Sequence, residues 1–148
     1  MKKRFLTLPV FLMTSVLLIS CAQQTKEELI IGKWNYDHID LLASNGGKPL
    51  TPQEEMSVSM MEVMLDKMSM EFFKDKTFEL KRQLGGKENV SHGTYKLESD
   101  GKYFTTDITT ESGKTKTDRN EIIALTQDSL KIKTQKGAYF IYKRDQGK

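Results

Sequence analysis

The 148-residue chain has one cysteine, Cys21, and two histidines, His38 and His92. A single thiol excludes an internal disulfide and any thiolate-based metal site. The one long apolar stretch, residues 5–19, has fifteen residues and contains Pro9. A helix that crosses a bilayer permanently needs roughly 20 apolar residues, so the stretch is too short for that role. A nucleophile elbow, a Gly-rich phosphate loop ahead of a helix and a zinc-binding helix motif are all missing. Ser91 and His92 are adjacent, which puts them on opposite faces of a strand and makes them a poor catalytic dyad. His38 and Asp40 would share a strand face and could serve as two metal ligands. No third ligand stands out, and a partly exposed strand end is the better reading. A glycosidase-type carboxylate pair is the one catalytic arrangement left open, since any two of 20 acids could meet in the fold. The expectation is a protein that is not an enzyme, without metal or cofactor.

What is present begins with the leader. Met1-Lys2-Lys3-Arg4 is followed by the apolar stretch and then by Leu18-Ile19-Ser20-Cys21. A basic start, an apolar run and a small residue before a junction form the layout of a secretory signal peptide. The junction resembles the lipobox of bacterial lipoproteins. The resemblance implies cleavage before Cys21 and acylation of that residue, hence a membrane anchor. Each buried methylene contributes about 0.8 kcal/mol, so several chains on one residue hold firmly where a single chain holds only marginally. Ala22 occupies the position where an Asp commonly signals inner-membrane retention, which leans the expectation toward the outer membrane. Lys26-Glu27-Glu28 faintly resembles short acidic export signals, although a solvated tether explains it as well.

Removing residues 1–20 leaves 128 residues with 20 basic and 20 acidic side chains. The basic balance therefore belongs to the leader, and no nucleic-acid partner is expected. Residues 21–28 read as a lipidated polar tether. Residues 29–148 suit one domain with one core, without repeats or internal linkers.

Residues 29–39, rich in branched and aromatic side chains, read as a first strand. Thr51-Pro52-Gln53-Glu54 opens a helix with a capping box, expected to run to about residue 67. All six methionines of the mature chain fall between Met56 and Met70, and Met56, Met60, Met64 and Met68 recur every four residues in one apolar stripe. From Met68 onward the rhythm changes to two. Met68, Met70 and Phe72 alternate with polar residues, as do Phe78 with Leu80, Tyr95 with Leu97, and Phe104 with Thr106 and Ile108. Ile123 with Leu125 and Leu130 with Ile132 continue the pattern. Six turn signals separate these runs, at Lys74-Asp75-Lys76, Gly85-Gly86, Asp100-Gly101, Ser112-Gly113, Gln127-Asp128 and Lys136-Gly137. The count is eight antiparallel strands, and periodicity alone leaves sandwich and barrel open.

Gly32-Lys33-Trp34 on the first strand resembles the Gly-x-Trp signature of lipocalins. The stretches "MEFFKDKTFEL", "GTYKLESDGKYF" and "NEIIALTQDSLKIK", with the aromatic last strand, are similar to bacterial lipocalin-like lipoproteins. The resemblance implies an all-β fold, an eight-stranded antiparallel up-and-down lipocalin-like barrel. With the helix read from the residues, the expectation is that barrel with one α-helix inserted after the first strand. This departs from lipocalins, whose long helix usually follows the barrel, and is more like the lid of fatty-acid-binding proteins. The resemblance also implies that Trp34 closes one end, with Arg144 or Lys143 across its ring.

A barrel of this size holds side chains or one small ligand. The expected ligand-binding set takes Met60 and Met64 from the helix, read as an adaptable lid over the barrel mouth, with a helix that plugs the mouth as ordinary core as the competing reading. The set takes Trp34, Tyr36, Phe72 and Phe78 from the early strands, and Tyr95, Phe104, Phe140 and Tyr142 from the later ones. The leading expectation is an envelope-anchored lipoprotein that binds a small hydrophobic or amphipathic molecule without catalysis. The alternative is a solid barrel that docks another envelope protein.

Overall fold

The period-two runs become strands, and each of the six turn signals falls between two of them. The computed structural model describes residues 24–109 and 113–147. The leader, Cys21 and Ser112 lie outside the described residues. The strands are β1 (Gly32–Ile39), β2 (Ser69–Phe72), β3 (Thr77–Leu84), β4 (Lys87–Glu98), β5 (Tyr103–Thr109), β6 (Thr115–Leu125), β7 (Ser129–Lys133) and β8 (Tyr139–Arg144). Each pairs antiparallel with the next, and β8 returns to β1, so the sheet closes as an up-and-down barrel. Closure leaves no free edge, which sandwich packing would not achieve.

Two bulges reset the alternation. One between Tyr36 and His38 on β1 lets Tyr36 and Ile39 both face inward. The other, between Ile122 and Ala124 on β6, pairs Ile122 with Ile132 and turns Ile123 outward. The expected inward parity of Ile123 is therefore corrected, because an extra residue in a bulge shifts the face of everything beyond it.

Three helices accompany the barrel among the described residues: α1 (Lys26–Ile30), α2 (Leu41–Ser44) and α3 (Pro52–Leu65). The capping box expected for α3 is present, with the Thr51 amide donating to Glu54 Oε2 at 2.7 Å and the Glu54 amide to Thr51 Oγ1 at 3.4 Å. Such a cap is worth about 1 kcal/mol. A second capping box, Thr25 with Glu28, opens α1. The stretch expected to be a polar tether through Glu28, and the strand expected from Leu29, are both corrected here. Lys26 to Ile30 form a helical turn, and the strand starts only at Gly32. The physical cause is the end of the barrel, which needs a cover. Ile30 is fully buried, and Lys26 Nζ donates to the Gly101 carbonyl in the β4–β5 turn at 3.2 Å.

The covered end is the floor. Trp34 is fully buried, and its indole N–H donates to the Ile30 carbonyl at 2.8 Å. Arg144 lies over the ring, 4.2 Å from its centroid. Its guanidinium donates to the carbonyls of Ile31 (2.7 Å), Leu29 and Gln127. Gly32 lies directly below, at φ +121°, and a Cβ there would stand 2.6 Å from Arg144 Nη1. That approach is the reason for a glycine two residues before the tryptophan. Above Trp34, Phe72 packs edge-on to Tyr95 (5.0 Å between centroids) and Phe104 (5.6 Å), and stacked on Phe78 (6.0 Å). Between the early and middle strands the walls meet closely at Gly93, where a Cβ would lie 2.1 Å from the Asp107 carbonyl and 2.9 Å from Phe78. Among the described residues no helix is long and apolar enough to cross a membrane.

Candidate functional site

The opposite end of the barrel is not filled. A cavity of about 320 Å³ opens there, between the inner faces of β2, β3 and β5 to β8 and the last turn of α3. This lies at the lower end of the range for small-molecule sites, about 300–1,000 Å³. Most of its lining is apolar, with Phe78, Leu80, Phe104, Ile108, Ile132, Phe140 and Tyr142. Five polar side chains interrupt the apolar lining, Arg82, Thr106, Asp118, Asn120 and Thr134.

The order of residues follows from the pleat. Along β3 the inward positions run Phe78, Leu80, Arg82. Along β5 they run Phe104, Thr106, Ile108. Along β6, read toward the mouth, they run Ile122, Asn120, Asp118. Thr106 is buried, and its hydroxyl donates to the Asp118 carbonyl at 3.4 Å. The Asp118 carboxylate is paired with Lys116 Nζ at 2.7 Å. Arg82 Nε is buried and has no hydrogen-bond partner.

Burial pushes the phenols of this region up. Tyr142 is raised by its desolvation and by the neighbouring Tyr36. Tyr36 is pushed up to about 12 by burial first, then by the negative charges of Glu62 and Asp37. The Tyr36 hydroxyl is buried without a hydrogen-bond partner. Both phenols are neutral at physiological pH, so neither supplies a general base.

The structure sorts the expected ligand-binding residues into three groups. Phe78, Phe104, Phe140 and Tyr142 line the cavity. Trp34, Phe72 and Tyr95 do not: they are buried in the floor beneath it, where close packing of large rings leaves no space. Tyr36 is also buried outside the lining, edge-on to Phe140 and Tyr142 and below the end of α3. Met60 and Met64 are corrected outright, being 68% and 58% exposed. The helix carries apolar residues on both sides. Val58 and Leu65 turn toward the barrel, while Met56, Met60, Val63 and Met64 face solvent. Leu65, Met68 and Met70 line the cavity instead, the last two from the segment that leads into and along β2.

Sequence reasoning missed the polar members of the lining. Extending the parity of Phe78 and Leu80 by one step reaches Arg82, and extending that of Ile122 downward in number reaches Asn120 and Asp118. His38 and Asp40 do not form a joint site. His38 Nδ1 contacts Asp37 at 2.8 Å, while Asp40 caps α2 and holds Lys131 Nζ at 2.6 Å. Among the described residues no group of three or more His, Cys, Asp and Glu gathers to hold a metal.

No family model matches the sequence, and no curated protein matches it significantly. Solved structures do match. A lipocalin-like protein from Bacteroides uniformis ATCC 8492 superposes with a TM-score of 0.55 at 16% identity, covering 79% of this chain and 99% of that one. A DUF4847 family protein from Bacteroides vulgatus ATCC 8482 superposes at 0.52 with 13% identity, covering 83% and 99%. Likeness at this level of identity is likeness of fold. The chain thus has a lipocalin-like fold, a closed eight-stranded antiparallel barrel with a helix after the first strand.

Proposed function

We propose that this protein is a lipid-anchored envelope protein that holds a small hydrophobic or amphipathic molecule in its barrel without transforming it. The observation that carries the reading is the cavity of about 320 Å³, mostly apolar with a few polar side chains in its lining. A concave, mostly apolar site with a few polar groups is the usual form of a small-molecule site. The absence of an ordered nucleophile–base pair in that lining supports binding over catalysis.

The lipobox-like junction Leu18-Ile19-Ser20-Cys21 supports the envelope location, and an anchor there gives the molecule an orientation. Gln24 contacts Gln127 at the floor end, with its side-chain oxygen 3.1 Å from Gln127 Nε2. Cys21 precedes it by three residues, and an extended chain spans at most about 3.5 Å per residue. A lipidated Cys21 therefore holds the closed floor against the outer membrane, with the mouth turned away from it.

A second reading, docking of another envelope protein, draws on one observation. Met56, Met60, Val63 and Met64 form an exposed apolar face on α3, and such faces occur at protein contacts.

Two measurements test the leading reading. Cys21→Ser in the full chain moves the protein from the membrane fraction to the soluble fraction, and unchanged membrane retention contradicts the anchor. Titration with Nile red, a neutral apolar dye, gives saturable one-to-one fluorescence enhancement. Its absence contradicts the container.

A further inference from the structure

Four of the nine large apolar side chains that stand exposed among the described residues are methionines of α3: Met56, Met60, Met61 and Met64. Leucine makes an equally good helix and would be as apolar. What sets these positions apart from leucine is the thioether sulfur, a soft metal ligand. Met60 is four residues from Met64 and Met61 is three, so both stand beside Met64 with Cβ atoms about 5–6 Å away. Side chains on a helix lean toward its N-terminus, which lays Met64 back over the turn that carries Met60 and Met61. Three long, unbranched side chains, 68%, 46% and 58% exposed in chain order, thus share one patch of open helix surface. Met56 stands outside the triangle, since it neighbours Met60 but lies about two turns from Met64.

The charges of the helix favour a cation. Residues 52–65 include Glu54, Glu55 and Glu62 and no lysine, arginine or histidine. The three methionines occupy the C-terminal half of α3, where the helix dipole is negative and Asp66 follows as C-cap. Lys67, the nearest basic residue in sequence, shares its surface hollow with Asp66 as well as Met64. Thioethers are neutral and soft, and the ion they select is Cu(I) rather than a hard divalent cation.

We propose that Met60, Met61 and Met64 form a surface site for one Cu(I) ion, held by three thioether sulfurs at the C-terminal end of α3. The site lies outside the barrel and stands whether or not the cavity takes a ligand.

The test titrates Cu(I), kept reduced with ascorbate, into the full chain carrying Cys21→Ser, which removes the one thiol. The coloured chelator ferrozine competes for the ion. One Cu(I) per chain is expected to pass from the chelator to the protein. Met60→Leu, Met61→Leu and Met64→Leu are each expected to weaken binding roughly tenfold, about 1.4 kcal/mol. Leucine keeps the volume and the helix propensity at these exposed positions. Met56→Leu is expected to stay within about twofold of the parent, a change of less than about 0.5 kcal/mol. Zn2+ at the same concentration is expected not to compete. No transfer of copper overturns the site, and so does binding that survives the three leucine substitutions combined. A loss in Met56→Leu equal to the other three overturns the assignment to this triangle, and displacement by zinc overturns the thioether ligands. The stoichiometry and the zinc comparison use the chain with all its methionines, so they stand whether or not a variant folds.

Discussion

The guanidinium of Arg144, at the end of the last strand, stacks 4.2 Å from the ring centroid of Trp34 on the first strand. The contact closes the barrel in two senses, since β8 and β1 are also the pair that completes the sheet. Arg144 at the same time holds the carbonyls of Ile31, Leu29 and Gln127. Arg144→Ala leaves those acceptors unsatisfied and uncovers the indole. The expected loss is about 3 kcal/mol, read from urea unfolding, together with a red shift of the fluorescence of Trp34, the single tryptophan. Arg144→Lys is expected to lose less, since it keeps the charge and gives up the fork. A variant as stable as the parent would show that the floor is closed by α1 alone.

Gly93 is required by distance rather than by dihedral angle. A methyl group there would stand 2.1 Å from the Asp107 carbonyl on β5 and 2.9 Å from the Phe78 ring. Gly93→Ala is expected to cost about 2 kcal/mol through displacement of β4 from β5. Thermal melts followed by far-ultraviolet circular dichroism report it, and an unchanged midpoint would mean that the two walls are further apart than described.

Tyr36 gives both a stability and a pH prediction. Its hydroxyl is buried with no partner, so Tyr36→Phe removes a desolvation penalty and is expected to stabilise the protein by about 1 kcal/mol. The phenol ordinarily titrates at 10.0 and is raised to about 12 in the folded chain, by burial first and then by Glu62 and Asp37. Between those values the unfolded chain ionises while the folded one does not. The contribution is therefore complete below pH 10 and disappears as the pH climbs toward 12. The stability difference between variant and parent should widen over that window. A variant that loses more than about 1 kcal/mol at neutral pH would reveal a partner for the hydroxyl.

The outward face of α3 predicts indifference. Met60→Asp is a polar substitution at a position 68% exposed, and exposed positions away from special contacts usually change stability by less than about 0.5 kcal/mol. Nile red affinity is expected to stay within about twofold of the parent, a change of less than 0.5 kcal/mol. Loss of dye binding would place the helix over the cavity after all.

The strands were legible because alternation and turn chemistry are local. Asp75, Gly86 and Gly101 each sit in the turn that the sequence marks. The floor was legible in part: Gly32, Trp34 and a basic residue on the last strand suggest the closure, and geometry selects Arg144 over Lys143. The helix α1 carries the same Thr-x-x-Glu signal as α3, at Thr25 and Glu28, but one turn is too short to show a period. The face of α3 was not legible because apolar residues occur on both of its sides. Their spacing shows a helix without showing which side the barrel covers. The polar members of the cavity lining were hidden for a related reason. Arg82 and Asp118 look like surface charges in a strand, and only the closed register turns them inward.

Carbon-13 labelling of the methionine methyl groups tests the central claim most directly, because the methionines report from two places. Met68 and Met70 line the cavity, and Met56 and Met60 face solvent on α3. Titration with dodecanoate is expected to shift the methyl resonances of Met68 and Met70 in a saturable way and to leave those of Met56 and Met60 in place. Shifts confined to Met56 and Met60, or no shift at any methionine, would contradict a barrel that carries its ligand inside.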